Sequence, residues 1–562
     1  MPIIRLRLPA ALLAVALLPA LAIRFAKAQH SGIDTYAINN ARIVPVSGAT
    51  IERGIVVVRN GLIVAVGTNV SAPADARVID GTGLTVYPGL IDSYTNLGLP
   101  EPAPSPSVSP GGGAGFFLQQ AAPQTRPGGP NSTQPAGLQP ETMVEDVIRT
   151  GGTDIDSARN AGFTSALTLP RTGIWIGQSA LINLAGETPQ QMIVRSPVAM
   201  HVGFTPLRGS YPGSLMGVFA TLRQMMIDAQ RYRDSMQIYE RAPRGVRRPD
   251  TDRSLAALMP VLEGKMPVVM LANTEREIAR ALDLATEFKL KLIIAGGRES
   301  ARLTDRLLKQ DVPVLLSLNL PRRTTAAIPG ADPEPLRVLR ERVEAQQTAG
   351  KLARAKVRFG FESGSLPNAA DILVNAGRTI ENGLSTEDAL RAFTIWPAEI
   401  LGVGNQLGSI EVGKIANLTI TRGDLFDRNS RVTHVFIDGR PVDLRPAAVG
   451  AAGRTNLTGA WTLNVNLGEE KTASLTLRQE GDRLTGSIQG PLGSGEISNA
   501  SIGNEIRFTV VLNIEGKTNE ATFAGTLSGN EIRGSVTIEG RAPGTFTATR
   551  STPRRRPKLK GT

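Results

Sequence analysis

The sequence predicts an α/β barrel with β-strands at either flank and a separate antiparallel β domain after it. Three observations carry that expectation. From Glu141 to Val403, strand-like apolar runs alternate with helix-like stretches, as a βα barrel requires. Short β-rich runs broken by turns fill Asp34–Val86 and return over Gly408–Val442. Beyond Thr455, three cassettes repeat one pattern: Gly481-Asp482-Arg483-Leu484, Gly503-Asn504-Glu505-Ile506 and Gly529-Asn530-Glu531-Ile532. Each sets Gly-Asp or Gly-Asn at a tight turn before alternating apolar and polar residues, which predicts a meander of hairpins closing a small barrel or sandwich over 455–550.

Residues 1–28 fall outside this scheme. Arg5 and Arg7 precede the apolar run Leu8–Leu21, and Ala26-Lys27-Ala28 offers small residues for cleavage after Ala28. That is the pattern of a secretory signal peptide, so the mature chain is expected in a periplasm or outside the cell. No later run is long and apolar enough to predict a membrane span. The chain has no cysteine, which excludes disulfides, thiolate metal sites and a cysteine nucleophile. Its net charge of +12 gathers partly at Arg241, Arg244, Arg247 and Arg248 and in the basic tail 551–562. No nucleic-acid-binding module accompanies that charge, so a solvated surface is expected rather than a nucleic-acid partner.

The elements follow in order. Ile55–Val58 and Leu62–Val66 flank Arg59-Asn60-Gly61, a hairpin signal. Residues 99–140 are crowded with Pro, Gly, Gln and Ser and predict a long insertion without a core of its own. Pro267–Leu271 is a buried-strand run, and Thr274-Glu275-Arg276-Glu277 is a capping box opening a helix through Leu284. Lys291–Ala295, ended by Gly296-Gly297, and Val312–Ser317 repeat the strand pattern. Val357–Phe361 predicts the last barrel strand, and Thr386–Phe393 a helix before Trp396-Pro397. Asp438-Gly439 turns a closing hairpin over Val432–Val442.

Three of these segments resemble the amidohydrolase superfamily, its imidazolonepropionase-like branch in particular. They are Pro88-Gly89-Leu90-Ile91-Asp92, Thr394-Ile395-Trp396-Pro397-Ala398-Glu399-Ile400-Leu401-Gly402, and Gly408–Leu418. The resemblance implies a (β/α)8 barrel over 88–404 and a composite β-sandwich built from 34–87 and 405–446. It also implies a metal site at the C-terminal ends of the strands, where such barrels hold their chemistry. Carried across, the His-x-His pair falls on Tyr94 and Asn96. The fifth-strand histidine falls on Leu271, before Ala272-Asn273; the sixth-strand histidine falls at or near Gly296; and the final aspartate falls on Glu362.

Leu271 and Gly296 supply no donor, and the chain holds three histidines, His30, His201 and His434, where the site needs four. No metal cofactor is therefore expected, and zinc belongs only to the alternative of an active hydrolase. Tyr94, Asn96, Leu271, Asn273, Gly296 and Glu362 are the candidate lining of a ligand pocket, with Glu362 and His201 the candidates for any residual catalysis. His201, within Val198–Val202, fits an ordinary β residue better than a catalytic one, and Glu362 fits a pocket carboxylate and a surface carboxylate equally well. A Gly-x-Ser-x-Gly elbow and a phosphate-binding loop are both missing.

The functional expectation is an exported, degenerate amidohydrolase that binds a small amide- or peptide-like ligand or serves as a scaffold. Two alternatives stand beside it. One is a working hydrolase of cyclic amides, N-acyl amino acids or dipeptides; the other is an adhesion or assembly module acting through the C-terminal β domain. Assembly with itself or with amidohydrolase relatives is left open.

Overall fold

The computed structural model describes residues 35–100, 134, 137–170, 173–207, 211–321, 334–364, 366, 370–427, 430–444 and 457–551, apart from short turns within the last span. The expected signal peptide, His30, most of the 99–140 insertion, the Gly-Asp and Gly-Asn turns of the cassettes and the basic tail lie outside them. The described residues form two compact units, one ending at 444 and the other beginning at 457.

In the larger unit the flanking β segments join as expected. Strands β1 (Thr35–Ile43), β2 (Ile51–Arg59), β3 (Leu62–Gly67), β4 (Arg77–Asp80) and β5 (Thr85–Pro88) come from the N-terminal side. The two turn residues between β2 and β3, Asn60 and Gly61, both take positive φ, the geometry a tight hairpin needs. Strands β16 (Leu418–Arg422), β17 (Arg431–Ile437) and β18 (Arg440–Val442) arrive from the far end of the unit. The seam is β5 against β16, antiparallel from Leu418 opposite Pro88 to Thr421 opposite Thr85.

The strands expected to form a composite sandwich are joined edge to edge. Hydrogen bonds run through one continuous sheet in the order β18-β17-β16-β5-β1-β2-β3, with β4 on β1. The free edge of β3 then bonds the 413–415 segment, so the sheet curls round a single core that includes Ile38, Val58, Val86, Ile420 and Phe436. Curling buries one face of a twisted sheet without needing a second one.

The central region holds two sheets. The first has the order β10-β9-β7-β6: β6 (Leu90–Thr95), β7 (Phe163–Thr168), β9 (Ala180–Asn183) and β10 (Ile193–Arg195). The second has the order β15-β14-β13-β12-β11-β8: β8 (Trp175–Gln178), β11 (Met200–Gly203), β12 (Val268–Ala272), β13 (Leu292–Gly296), β14 (Val314–Ser317) and β15 (Phe359–Glu362). From β11 to β15 every pairing is parallel. The sheets meet where the Ser93 hydroxyl donates to the Phe361 carbonyl at 2.6 Å and the Ser363 amide donates to Asp92 Oδ1 at 3.0 Å.

The two faces of these strands have different partners. On β12, Val268 and Met270 join the core shared with the helices, while Val269 joins a separate cluster with Ile91, Leu167, Ala199, Ile293 and Leu315. An inner cluster with buried members from β6, β7, β9, β12, β13 and β14 is consistent with the expected barrel. The capping box forms as the sequence predicts, Thr274 with Glu277, and its helix runs four residues beyond Leu284, over Glu275–Phe288.

The smaller unit is a closed barrel of eight antiparallel strands in sequence order: β19 (Gly459–Asn466), β20 (Glu470–Glu480), β21 (Arg483–Gly490), β22 (Gly493–Ile502), β23 (Ile506–Ile514), β24 (Lys517–Ser528), β25 (Glu531–Ile538) and β26 (Gly544–Arg550). Pairing of β19 with β26 closes it and leaves no free edge. Of the two expected forms, barrel and sandwich, the barrel is the one observed. Its interior is packed: Phe508 stacks on Phe523 with centroids 5.0 Å apart, and Phe546 meets Phe523 edge-on at 5.2 Å.

Candidate functional site

The ends of β6 and β15 bring together a polar group made mostly from sequence-predicted residues. On β15, Phe359 and Phe361 belong to the outer core, so the alternate residue Glu362 faces the other way. It is 1% exposed at the last position of the strand. The Ser317 hydroxyl, opposite Glu362 in the β14–β15 register, bonds its carboxyl, while Oε2 has no hydrogen-bond partner.

Burial, and next to it the charge of Asp92, holds the Glu362 carboxyl well above the usual carboxylate range. Asp92 itself is buried, and desolvation pushes it up to about 6 against the hydrogen bonds it accepts around Ser363 and Tyr94. Of the two, Asp92 gives up its proton first, and the charge it then carries favours the protonated form of Glu362. Two neighbouring buried carboxyls do not both ionise, because each charge raises the cost of the other.

Tyr94 sits two residues after Asp92, in a stretch where the β6–β7 register is irregular. Such irregularities re-aim side chains. Its ring packs against the inner cluster and lies 5.6 Å from the His201 ring, centroid to centroid. Desolvation, then the nearby Glu362 carboxyl, raises the Tyr94 hydroxyl far above its ordinary value, so it stays protonated. His201 is fully buried in β11, both ring nitrogens lack a partner, and desolvation lowers it to about 3. The imidazole is uncharged. That modifies the expectation of a satisfied β residue: His201 is a β residue, but an unsatisfied one.

The other candidates fall into two groups. Leu271 is half-buried and packs on the inner cluster. Asn273 and Gly296 meet each other: a Cβ on Gly296, whose φ is +82, would lie 2.6 Å from Asn273 Oδ1. Asn96 follows the end of β6, and its carbonyl accepts from the Leu99 amide. His434 lies in β17 opposite Ile420, its ring against the Thr433 hydroxyl, within the curled sheet.

Asp92 was not among the sequence-predicted site residues, although it ends the Pro88–Asp92 motif. Ser317 carries no sequence signal, since it is one small polar residue after an apolar strand.

A divalent metal does not fit this set. Among the described residues no three His, Cys, Asp or Glu side chains are placed to hold one. Of the five positions that the resemblance assigns to ligands, Leu271 and Gly296 have no donor, Tyr94 and Asn96 are weak donors, and Glu362 alone supplies a carboxyl. Glu362 and Tyr94 each offer an O–H donor, and His201 offers one donor and one acceptor nitrogen.

Residues 334–442 match the amidohydrolase family. The amidohydrolase tasK of Hapsidospora irregularis is 23% identical over 428 residues, 69% of this chain but 39% of that protein. A dihydroorotase of Pelobacter propionicus is 31% identical over 94 residues, 16% of this chain and 22% of the enzyme. The chain thus spans about two fifths or less of these curated relatives. A solved amidohydrolase from Thermotoga maritima superposes with a TM-score of 0.60 at 25% identity, covering 73% of this chain and all of that one.

Proposed function

We propose that this amidohydrolase-family protein, whose fold is amidohydrolase-like, binds a small uncharged amide- or peptide-like ligand at the ends of β6 and β15 without a catalytic metal. The observation that carries this reading is the Asp92–Glu362 pair beside Tyr94 and His201, where the resemblance calls for metal ligands. A neutral carboxylic acid donates to an amide carbonyl, and burial strengthens that bond by removing competing water. Without a Lewis acid to lower the pKa of an attacking water, Glu362 would be a weak amide hydrolase, so binding is favoured over hydrolysis. The Pro88–Asp92 and Gly408–Leu418 motifs favour the imidazolonepropionase-like branch and a (β/α)8 barrel, and the N-terminal residues favour export to the periplasm.

The test is metal analysis of the purified mature protein, followed by thermal-shift and turnover measurements with dipeptides, N-acyl amino acids and cyclic amides. The expected result is substoichiometric zinc, no turnover, and a ligand-dependent rise in Tm that Glu362→Ala abolishes. Stoichiometric zinc whose removal stops turnover would overturn the proposal and establish the active-hydrolase alternative.

A further inference from the structure

The helix Leu215–Arg241 carries a surface that the site at the strand ends does not use. Its inner side packs Val218, Leu222, Met225, Met226 and Ala229 into the core. Its outer side exposes Met216 (82%), Ile227 (50%) and Ile238 (58%). These residues are eleven apart, close to three helical turns, so they lie almost along one line. At 1.5 Å per residue the row is about 33 Å long.

Beneath its first half lies a groove of about 440 Å³ between this helix and Glu275–Phe288, lined by Met216, Phe219, Ala220, Arg223, Ile227 and Arg280. At its far end the chain leaves the helix through residues 241–248, all exposed, with Arg241, Arg244, Arg247 and Arg248 and no acidic residue. Val246, 40% exposed, sits among them. Of the acids nearby, Asp234 is 3.0 Å from Arg233, Asp250 is 3.5 Å from Arg247, Asp283 on the groove is 2.7 Å from Arg306, Glu287 is 2.7 Å from Arg223, and Glu240 is exposed.

We propose that this face, the basic loop 241–248 with the outer apolar row of its helix, docks the protein on an anionic phospholipid surface. Charge alone would suit any polyanion. The apolar row narrows the choice, because Met216, Ile227, Ile238 and Val246 gain by entering the boundary between headgroups and acyl chains and gain nothing along a phosphodiester backbone. Arginines flanking an apolar helix edge are the composition that lies in such an interface, and a docked helix need not cross the bilayer. Each basic side chain near an anionic leaflet contributes about fivefold to partitioning, so three contribute on the order of a hundredfold.

The test is co-sedimentation of the full chain with phosphatidylcholine vesicles, with and without phosphatidylglycerol. Binding is expected only to the anionic vesicles and is expected to weaken in high salt as screening shortens. Changing Arg244, Arg247 and Arg248 to Gln should lower it on the order of a hundredfold with an unchanged melting curve. Ile227→Ser with Ile238→Ser should weaken it with the salt dependence intact. A companion variant with Arg554, Arg555 and Arg556 changed to Gln should bind as the wild type does. The proposal is overturned if the loop variant binds like the wild type, if the tail variant is the one that lets go, or if duplex DNA captures the protein more tightly than the anionic vesicles.

Discussion

Asp92→Asn tests the electrostatics of the candidate site most directly. Asp92 is 3% exposed, and desolvation lifts its carboxyl from 3.8 to about 6. The folded chain therefore keeps this proton at pH values where the unfolded chain has already released it. The stability that results is fully present below about pH 4 and is lost as pH rises through about 6. Two pH units at about 1.4 kcal/mol each give a loss of about 3 kcal/mol.

Asparagine keeps an oxygen that accepts from the Ser363 amide but has no proton to lose. Unfolding in urea at about pH 4 and about pH 8, followed by hydrogen-exchange protection of the larger unit, measures the difference. Between those pH values the wild type should lose about 3 kcal/mol more than the variant, and the gap should widen because the Asp92 charge also holds Glu362 protonated. Parallel pH profiles for the two proteins would refute the assignment of Asp92 as a buried anion.

Three further predictions follow from the same neighbourhood. Glu362→Gln should cost under about 1 kcal/mol near neutral pH, whereas Glu362→Ala strands the Ser317 hydroxyl and should cost about 1–3 kcal/mol in denaturant unfolding. His201 is held uncharged in the fold while the unfolded imidazole gains a proton below about 6.5, so wild-type stability falls with acidification by up to about 1.4 kcal/mol per pH unit. His201→Phe should erase that slope and add about 1 kcal/mol at neutral pH by removing two buried unpartnered nitrogens, as melting curves across the acid range would show. Gly296→Ala should cost about 2–4 kcal/mol, from its positive φ and the contact with Asn273; about half should be recovered over Asn273→Ala in a double-mutant cycle.

Much of the fold was legible along the chain because its signals are local. The capping box at Thr274 and Glu277, the Asn60-Gly61 and Asp438-Gly439 turns, and the apolar runs that became β12, β13 and β14 depend on residues a few positions apart. The motifs that carry the resemblance likewise placed Glu362 at a strand end, and Leu271 and Gly296, which have no donor, at positions the resemblance assigns to ligands. The single curled sheet was not legible, since it depends on β5 meeting β16 across more than 300 residues.

Nor was the state of the site. Nothing in the sequence near Asp92 says that Ser363, 271 residues away, will donate to it, or that His201 will face Tyr94 with both nitrogens unpaired. The sequence by itself determined which side chains were available: one acid at the last strand, the Tyr94 phenol, the Asn96 and Asn273 amides, and no thiol. Only the tertiary structure decided their protonation, because desolvation and charge coupling belong to the assembled interior and have no counterpart in the order of residues.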